Sequence, residues 1–282
     1  GVGMIKKQEL IEQLKNMGIK EGDTLLVHSS MKAIGDVDGG ADTVLDALIE
    51  VVCGTVEKSS DENVEKSDNG SNDVNNAGML VLPTHTWASM TDEHSVFDPE
   101  KEPACVGILP NLFMKREGVV RSLHPTHSLA AYSLDEKKAG KFAAGEERFD
   151  TPCNRQGCYG KLYDLDAKIL LLGVGLNRNT YMHGVEEWFG IKERLTEETL
   201  SLYIKIQSEA GKEKLLPVKM HKHFKPNNIS ISENYERMRQ EFIEKGALVE
   251  GKIGEALCSC MSARKVADIT TEVLRKNRDF FL

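Results

Sequence analysis

The sequence predicts an α/β domain built around a mixed β-sheet, and three observations carry that expectation. Short apolar runs ending in small polar residues alternate with stretches of helical hydrophobic period, as in layered α/β folds. Two later segments instead alternate apolar and polar residues one by one. Strands with one wet face do this, so the sheet is expected to be mixed rather than purely parallel. Length and composition suit such a fold: 282 residues, 40% hydrophobic and 28% charged, enough to bury a core without disulfide or metal support.

Taken in order, Leu10, Ile11, Leu14 and Met17 fall at helical spacing, and Gly18 follows as a stop. Thr24 to Ser30 (TLLVHSS) is the first strand candidate. Gly39-Gly40 leads into a second helix through Val44, Leu45, Leu48, Ile49 and Val52. Asp42 stands in its first turn, where the helix dipole favours an anion. Residues 55 to 77, TVEKSSDENVEKSDNGSNDVNNA, are polar and repeat VEKS. Such a composition buries too little surface to offset its ordering entropy, so this stretch is expected to be a disordered loop inserted between core elements. Met79 to Thr86, Ser128 to Leu134 and Lys168 to Gly175 are further strand candidates. Leu200 to Gln207 and Leu215 to Met220 are the alternating pair, and helical patterns return near Glu233 to Lys245 and Ala263 to Lys276.

Composition removes several function classes. The net charge of −8 argues against nucleic acid as a partner. Half of that charge comes from residues 57 to 73, with six acids against two lysines, so it does not describe an acidic site. The cysteines, Cys53, Cys105, Cys153, Cys158, Cys258 and Cys260, form no CxxC pair and suit reduced thiols in a cytosolic protein. No apolar stretch approaches the ~20 residues of a membrane span. Met4 is the expected natural start, and no charged region followed by an apolar one marks a secretory signal. The expectation is a cytoplasmic protein without membrane contact.

Three strand ends carry polar residues where ligands gather in α/β sheets: His28-Ser29-Ser30, Pro83 to Trp87, and Gly175 to Glu187. In GLNRNTYMHGVEEWFG, residues 175 to 190, Asn177, Asn179 or Thr180 is expected to cap a helix starting near Tyr181. His183 and Glu186 then share one helix face. The carboxylate orients the imidazole and stabilises its cation, while the helix start lowers its basicity, as a general base near neutrality requires. The same spacing also suits a helix-start histidine in a surface ion pair. In RSLHPTHSLAA, residues 121 to 131, Pro125 keeps His124 and His127 out of a helix interior. They read as buried hydrogen-bonding histidines or, joined by His183 and Glu186, as metal ligands, although HEXXH is absent. HSSMKAIGDVDGG, residues 28 to 40, offers backbone N–H groups and Lys32 to a phosphate or amide-bearing ligand, but lacks GxxxxGK[ST] and GxGxxG. His221 and His223 read as exposed strand-end residues with no role.

Together these segments resemble the antibiotic N-acetyltransferase family, which includes the aminoglycoside 3-N-acetyltransferases. The resemblance runs through LLVHSSMKAIGDVDGGADTVLDALIE, GMLVLPTHTW, FDPEKEPACVGILPNLFMKREGVVRSLHPTHSLAA and KLYDLDAKILLLGVGLNRNTYMHGVEEW, and covers most of the chain from Lys6 onward. It implies a single three-layer α/β domain over residues 4–282, using acetyl-CoA and no metal. The resemblance places the pantetheine arm near His28, Ser29, Ser30, Met31 and Lys32, at Val106-Gly107, and along Ser122, His124, Thr126 and Ser128. His183 is then the catalytic base, Glu186 its orienting carboxylate, and the 3-amine of a polycationic aminoglycoside the acceptor. Trp87 is a candidate wall of the acceptor site, with Asp98, Glu186 and Glu187 as anionic contacts. The loop at 55–77 and the region 190–232 depart from the family pattern. The alternatives are an acetyl-CoA-dependent transferase acting on a non-antibiotic amine, a CoA-binding protein without catalysis, and a metal-dependent hydrolase using His124, His127 and His183. A monomer or homodimer is expected.

Overall fold

The computed structural model describes residues 3–55, 77–222 and 230–282. The insertion expected at 55–77 falls almost wholly outside them, as does His223. In chain order the elements are α1 (Lys7–Asn16), β1 (Thr24–Ser29), α2 (Met31–Ile34), α3 (Gly40–Cys53), β2 (Met79–Pro83) and β3 (Val96–Phe97). They continue with α4 (Ile108–Met114), β4 (Val120–Arg121), β5 (Leu129–Ser133), α5 (Glu136–Ala143), α6 (Cys158–Asp164) and β6 (Lys168–Leu172). The remainder is α7 (Thr180–Phe189), β7 (Leu200–Ile206), β8 (Lys212–Val218), α8 (Arg239–Glu244), β9 (Leu248–Ile253), β10 (Ala256–Ser262) and α9 (Ala263–Lys276).

A seven-stranded sheet has the order β4-β5-β2-β1-β6-β10-β9. At its centre β1 runs parallel to β2 and β6, while β5, β4, β10 and β9 join antiparallel. The central strands are apolar on both faces, the mark of strands covered above and below, but the antiparallel members of the sheet are β4, β5, β9 and β10, not the alternating segments from which a mixed sheet was expected. Leu25, Val27, Leu80, Leu82, Leu170 and Leu172 pack with α1, α3 and α4. Leu26, Met79, Val81, Ile169 and Leu171 face α5, α6, α7 and α9. Three layers result, helices on each side of one sheet. The alternating strands β7 and β8 lie elsewhere, with β3, in a three-stranded sheet. Their inward residues Leu202, Ile204, Ile206, Leu216 and Val218 form a separate small core with Phe97 and Met90.

Two local differences from the sequence reading bear on the site. The strand from Met79 ends at Pro83 instead of Thr86. Beyond it, Thr84 N–H donates to the Ser128 carbonyl and Thr86 N–H to the Thr126 carbonyl, both at 2.9 Å. Pairing thus continues without a regular ladder, because the neighbouring side chains form their own hydrogen bonds. The helical stretch expected at 233–245 is a 3-10 helix over Ile231–Met238 followed by α8. Its three-residue repeat stacks Tyr235 and Met238, both fully buried, on one side. At the end of β6, Gly173 has φ +80°, and a Cβ there would lie 2.7 Å from that of Ala33. Only glycine lets the strand end come this close to α2.

Candidate active site

The carboxyl ends of β1, β2 and β6 open on one edge of the sheet, and α7 starts there. His183 sits in its first turn, buried except for 8% of its surface. The helix starts at Thr180 with Asn179 as N-cap, but no side chain caps it. This corrects the capping expectation: Asn179 is fully buried, and its amide donates to Met261 Sδ at 3.4 Å. The approach to the helix is tied down from a distance, the Glu236 carboxylate accepting from Leu176 N–H at 2.8 Å.

His183 and Glu186 do share a helix face, but the hydroxyl of Tyr235 stands between them. That hydroxyl meets His183 Nδ1 at 2.8 Å and donates a short hydrogen bond to Glu186 Oε1. A hydroxyl has one proton. If it goes to the carboxylate, the oxygen accepts from Nδ1–H, and hydrogen-bond logic assigns the lone pair to Nε2. The other carboxylate oxygen of Glu186 accepts from Arg194 Nε at 2.7 Å, in an ion pair whose side chains are 5% and 0% exposed. Burial pushes the Glu186 carboxyl up from its usual range, while Tyr235 and Arg194 pull it back down. Burial also drives the Tyr235 phenol well up, keeping it a donor.

Around His183 lie other imidazoles. His221 stacks on it face to face, with centroids 4.5 Å apart and planes 18° from parallel. The expectation of His221 as an exposed residue is therefore corrected: it is 4% exposed. Its lysine neighbours gave the strand end a solvated look, but His221 is buried between half-buried Met220 and exposed Lys222. The row continues to His127 at 5.2 Å and from there to His85 at 4.8 Å, whose Nε2 meets the Tyr159 hydroxyl at 2.8 Å. Burial holds His85 well below its usual range and lowers His124 to about 4. Burial, then Arg178, lowers His28 to about 4. All three are neutral rings near pH 7. Among the described residues no group of three or more His, Cys, Asp or Glu side chains is disposed to hold a metal ion. His124, His127 and His183 converge, but as packed rings.

The segment from Arg121 to Ser128 is bound up in the fold. Ser122 Oγ accepts from Leu129 N–H at 3.0 Å, and Ser128 Oγ donates to the Thr84 carbonyl at 3.0 Å. His124 Nδ1 accepts from His127 N–H at 3.0 Å, and Thr126 Oγ1 meets His127 Nδ1 at 2.9 Å. All four expected cofactor contacts here, Ser122, His124, Thr126 and Ser128, have fully buried side chains. The first strand end is more open. Ser30 caps α2 by accepting from Ala33 N–H at 3.2 Å, Ser29 and Met31 are half-buried, and Lys32 is exposed. His28 Nε2 is buried and has no hydrogen-bond partner. Gly107 is exposed and starts α4 with φ +116°.

The expected acceptor contacts lie as follows. Trp87 is 42% exposed. Asp98 faces Lys205 at 3.7 Å and accepts from Glu100 N–H at 3.1 Å. Glu187 accepts from Thr151 Oγ1 at 2.9 Å and from Cys153 N–H at 3.1 Å, and burial pushes it up to about 7. Each of the three acids named as anionic contacts, Glu186 included, is already committed to an internal partner.

A family model described as aminoglycoside 3-N-acetyltransferase matches residues 26–275. The chain belongs to this family. Acyl transfer is the family's chemistry, and the chain is an acyltransferase by membership. It is similar to the SPbeta prophage-derived aminoglycoside N(3')-acetyltransferase-like protein YokD of Bacillus subtilis, 29% identical over 93% of this chain and 89% of that one. It is 30% identical to aminoglycoside N(3)-acetyltransferase VII of Streptomyces paromomycinus over 65% of this chain. That match spans 61% of the Streptomyces enzyme's length. The solved structure of AAC-IIIb as a binary complex with CoASH superposes with a TM-score of 0.76, covering 97% of each chain at 21% identity. At that identity it shows the same α/β fold.

Sequence reasoning missed Tyr235, Arg194 and His221. Arg194 lies in the stretch 190–232 that departs from the family pattern, and Tyr235 in the helical pattern expected from Glu233 to Lys245. Neither signal points to α7, because tertiary packing alone brings these side chains there.

Proposed function

We propose that this family member transfers the acetyl group of acetyl-CoA to an amine, with His183 as general base in a ternary complex. The observation that carries the reading is the buried sequence His183–Tyr235–Glu186–Arg194, which assigns the Nε2 lone pair and offsets the charge that His183 acquires. The first strand end suits the cofactor: His28 Nε2 is a buried nitrogen without a partner, beside half-buried Ser29, Met31 and the exposed cation of Lys32. Acetyl-CoA, when bound, supplies the activated acyl carbon. Ser29 to Lys32 and Gly107 would hold the pantetheine arm, while Ser122, His124, Thr126 and Ser128 build the wall behind it.

His183 Nε2 takes a proton from the acceptor nitrogen as that nitrogen attacks the acyl carbon. The C–N bond forms, the C–S bond breaks, and the proton passes from Nε2 to the departing sulfur. Tyr235 keeps Nδ1–H hydrogen-bonded throughout, and Glu186 balances the imidazolium. A base so placed contributes ~10²–10⁴-fold, and holding both substrates together adds to this. The buried Nε2 of His28 and the N–H groups of Ser29 to Met31 are candidates for stabilising the acyl oxygen as it gains charge.

The acceptor implied by the family name is an aminoglycoside 3-amine, approached past Trp87. A specific observation favours a second reading, a different and less cationic amine: Glu186, Glu187 and Asp98 are each engaged by Arg194, by Thr151 with Cys153, or by Lys205. The test is CoA release from acetyl-CoA with a panel of aminoglycosides and other primary amines. His183→Ala should abolish turnover while calorimetry still detects acetyl-CoA binding. Turnover retained by His183→Ala overturns the mechanism. Turnover of other amines but of no aminoglycoside selects the second reading.

A further inference from the structure

We propose that the cleft between α5 and α6, at the sheet edge opposite His183, binds a small organic anion: an apolar body that carries a carboxylate or a phosphate. A cavity of about 390 Å³ opens there, lined by four lysines, two aspartates, Phe142 and Leu165. That volume lies within the ~300–1,000 Å³ of small-molecule sites. Its place follows from the strands. β5 ends at Ser133, paired with Met79 at the start of β2, and α5 leaves directly from this corner with Asp135 as its N-cap. α6 returns to the same edge, ending at Asp164 just before β6 starts at Lys168. His28 and the approach to His183 stand at the other edge, where β1 and β6 end. The cleft is therefore a separate place on the molecule.

The charge in the cleft is unbalanced. Both carboxylates are engaged elsewhere: Asp135 accepts from Lys137 N–H at 3.1 Å, and Asp164 from Arg155 Nη2 at 2.7 Å. Arg155 is itself seated over the Tyr163 ring, 4.9 Å from its centroid. Among the described residues none of the four lysines forms an ion pair. Two of them are held in place as cations. Lys161 Nζ donates to the carbonyls of Lys141, Phe142 and Ala144, at 2.9, 3.0 and 2.9 Å. Its three protons are thereby used on the last turn of α5, where they offset the negative end of that helix. Lys138 Nζ donates to the Ala77 carbonyl, and burial pulls this ammonium below its usual range while Asp135 acts against that pull. Lys137 and Lys141 are exposed, one helical turn apart, and neither ammonium has an acceptor among the described residues. Like charges at this spacing repel, and an anion between them removes the repulsion. Below this rim the lining turns apolar, with Phe142 buried and Leu165 45% exposed. The cleft thus offers an apolar floor to the body of a ligand and two unengaged cations to its charge, in the field of two more. An ammonium is a point charge that meets carboxylate and phosphate alike, so the two head groups share this chemistry.

The experiment titrates naphthyl phosphate, naphthoate and the neutral naphthalenemethanol into the full chain by calorimetry, with and without saturating acetyl-CoA. The same titrations are run on the double variant Lys137→Gln with Lys141→Gln, and on Leu165→Glu. A control, Lys15→Gln with Lys20→Gln, removes the same charge beside α1, on the other side of the sheet. All of these side chains are exposed, so each variant should melt as the wild type does. The expected result is one saturable site for at least one of the anions, unaffected by acetyl-CoA. Affinity should fall about tenfold or more in the Lys137/Lys141 variant, in Leu165→Glu and for naphthalenemethanol, the scale of a lost charge-assisted hydrogen bond. It should stay within about twofold in the control, where no such bond is lost. The anion that binds more tightly names the head group. Absence of saturable binding for both anions overturns the proposal. Equal loss in the control also overturns it, leaving only a general attraction to lysines. Naphthalenemethanol binding as tightly as the anions would reduce the cleft to an apolar surface and overturn the assignment of its ligand. Displacement of the probe by acetyl-CoA would put it at the catalytic edge and overturn the separate site.

Discussion

Replacing Tyr235 with phenylalanine tests the central geometry with the removal of one oxygen. The ring stays, so its packing against Phe281, centroids 4.9 Å apart, is preserved. The hydrogen bonds to His183 Nδ1 and Glu186 Oε1 are lost. Inside the protein a donor left without a partner costs about 1–3 kcal/mol, and bonds to charged groups lie at the upper end. With Nδ1–H unpaired, the imidazole is released toward the opposite tautomer, whose Nε2 already carries a proton and cannot act as a base. A penalty of ~2 kcal/mol on the productive tautomer converts to roughly 30-fold in rate. Tyr235→Phe should therefore lower kcat about 10- to 100-fold with little change in KM for acetyl-CoA, and reduce Tm by a few degrees. Steady-state kinetics by thiol release, with a thermal melt on the same sample, gives both numbers. Wild-type kcat in a folded variant, or a defect entirely in cofactor KM, would refute the assignment of the Nε2 lone pair.

Two further outcomes follow from burial. Arg194→Met leaves Glu186 ionised in the interior without its cation and should lose about 3–5 kcal/mol. The double change Arg194→Met with Glu186→Leu should recover much of that in chemical denaturation but no activity; a loss below about 1 kcal/mol for Arg194→Met alone would show that the pair is not buried in solution. His28 and Glu187 should set opposing pH slopes. Burial holds folded His28 at about 4 against 6.5, so within that window the unfolded chain binds a proton the folded chain refuses, and stability falls as pH drops. Burial raises folded Glu187 from 4.5 to about 7, so within that window the folded chain keeps a proton the unfolded chain has released, and stability falls as pH rises. Each contributes at most about 1.4 kcal/mol per pH unit, and the two oppose each other between 4.5 and 6.5. Urea titrations across pH 4 to 8 should show His28→Gln flattening the acid limb and Glu187→Gln the neutral limb; slopes identical to wild type would contradict the burial of these groups.

What was legible in the sequence was whatever repeats locally. The i, i+3 spacing of His183 and Glu186 needs only a helix to bring them together, and the unbroken apolar runs at Leu25 and Ile169 already say that both faces of the central strands are covered. The approach from Arg121 to Ser128 was readable as non-helical because Pro125 forbids a helix there, but it turns at 125–127 instead of running extended. The rest depended on chain segments meeting over long separations. Glu187, adjacent to Glu186, was expected as an anionic contact for the acceptor, yet it is drawn under Thr151 by a connection that no periodicity describes. His221 has lysines on either side at 219 and 222 and reads as wet until its antiparallel bridge with Leu195 is seen. The opposite fates of neighbouring residues there come from a two-segment pairing whose partner lies beyond the β7–β8 hairpin.

That hairpin has a consequence for how the molecule can vary. Its neck, residues 194–196 against 220–222, brings His221 onto His183, while its blade of β7 and β8 closes over a small core of its own with β3. Length and surface chemistry along the blade can drift with the stitching at the neck unchanged, while its register is held by the inward residues of its own core. New outer shapes can therefore be tried without re-solving the proton transfer each time.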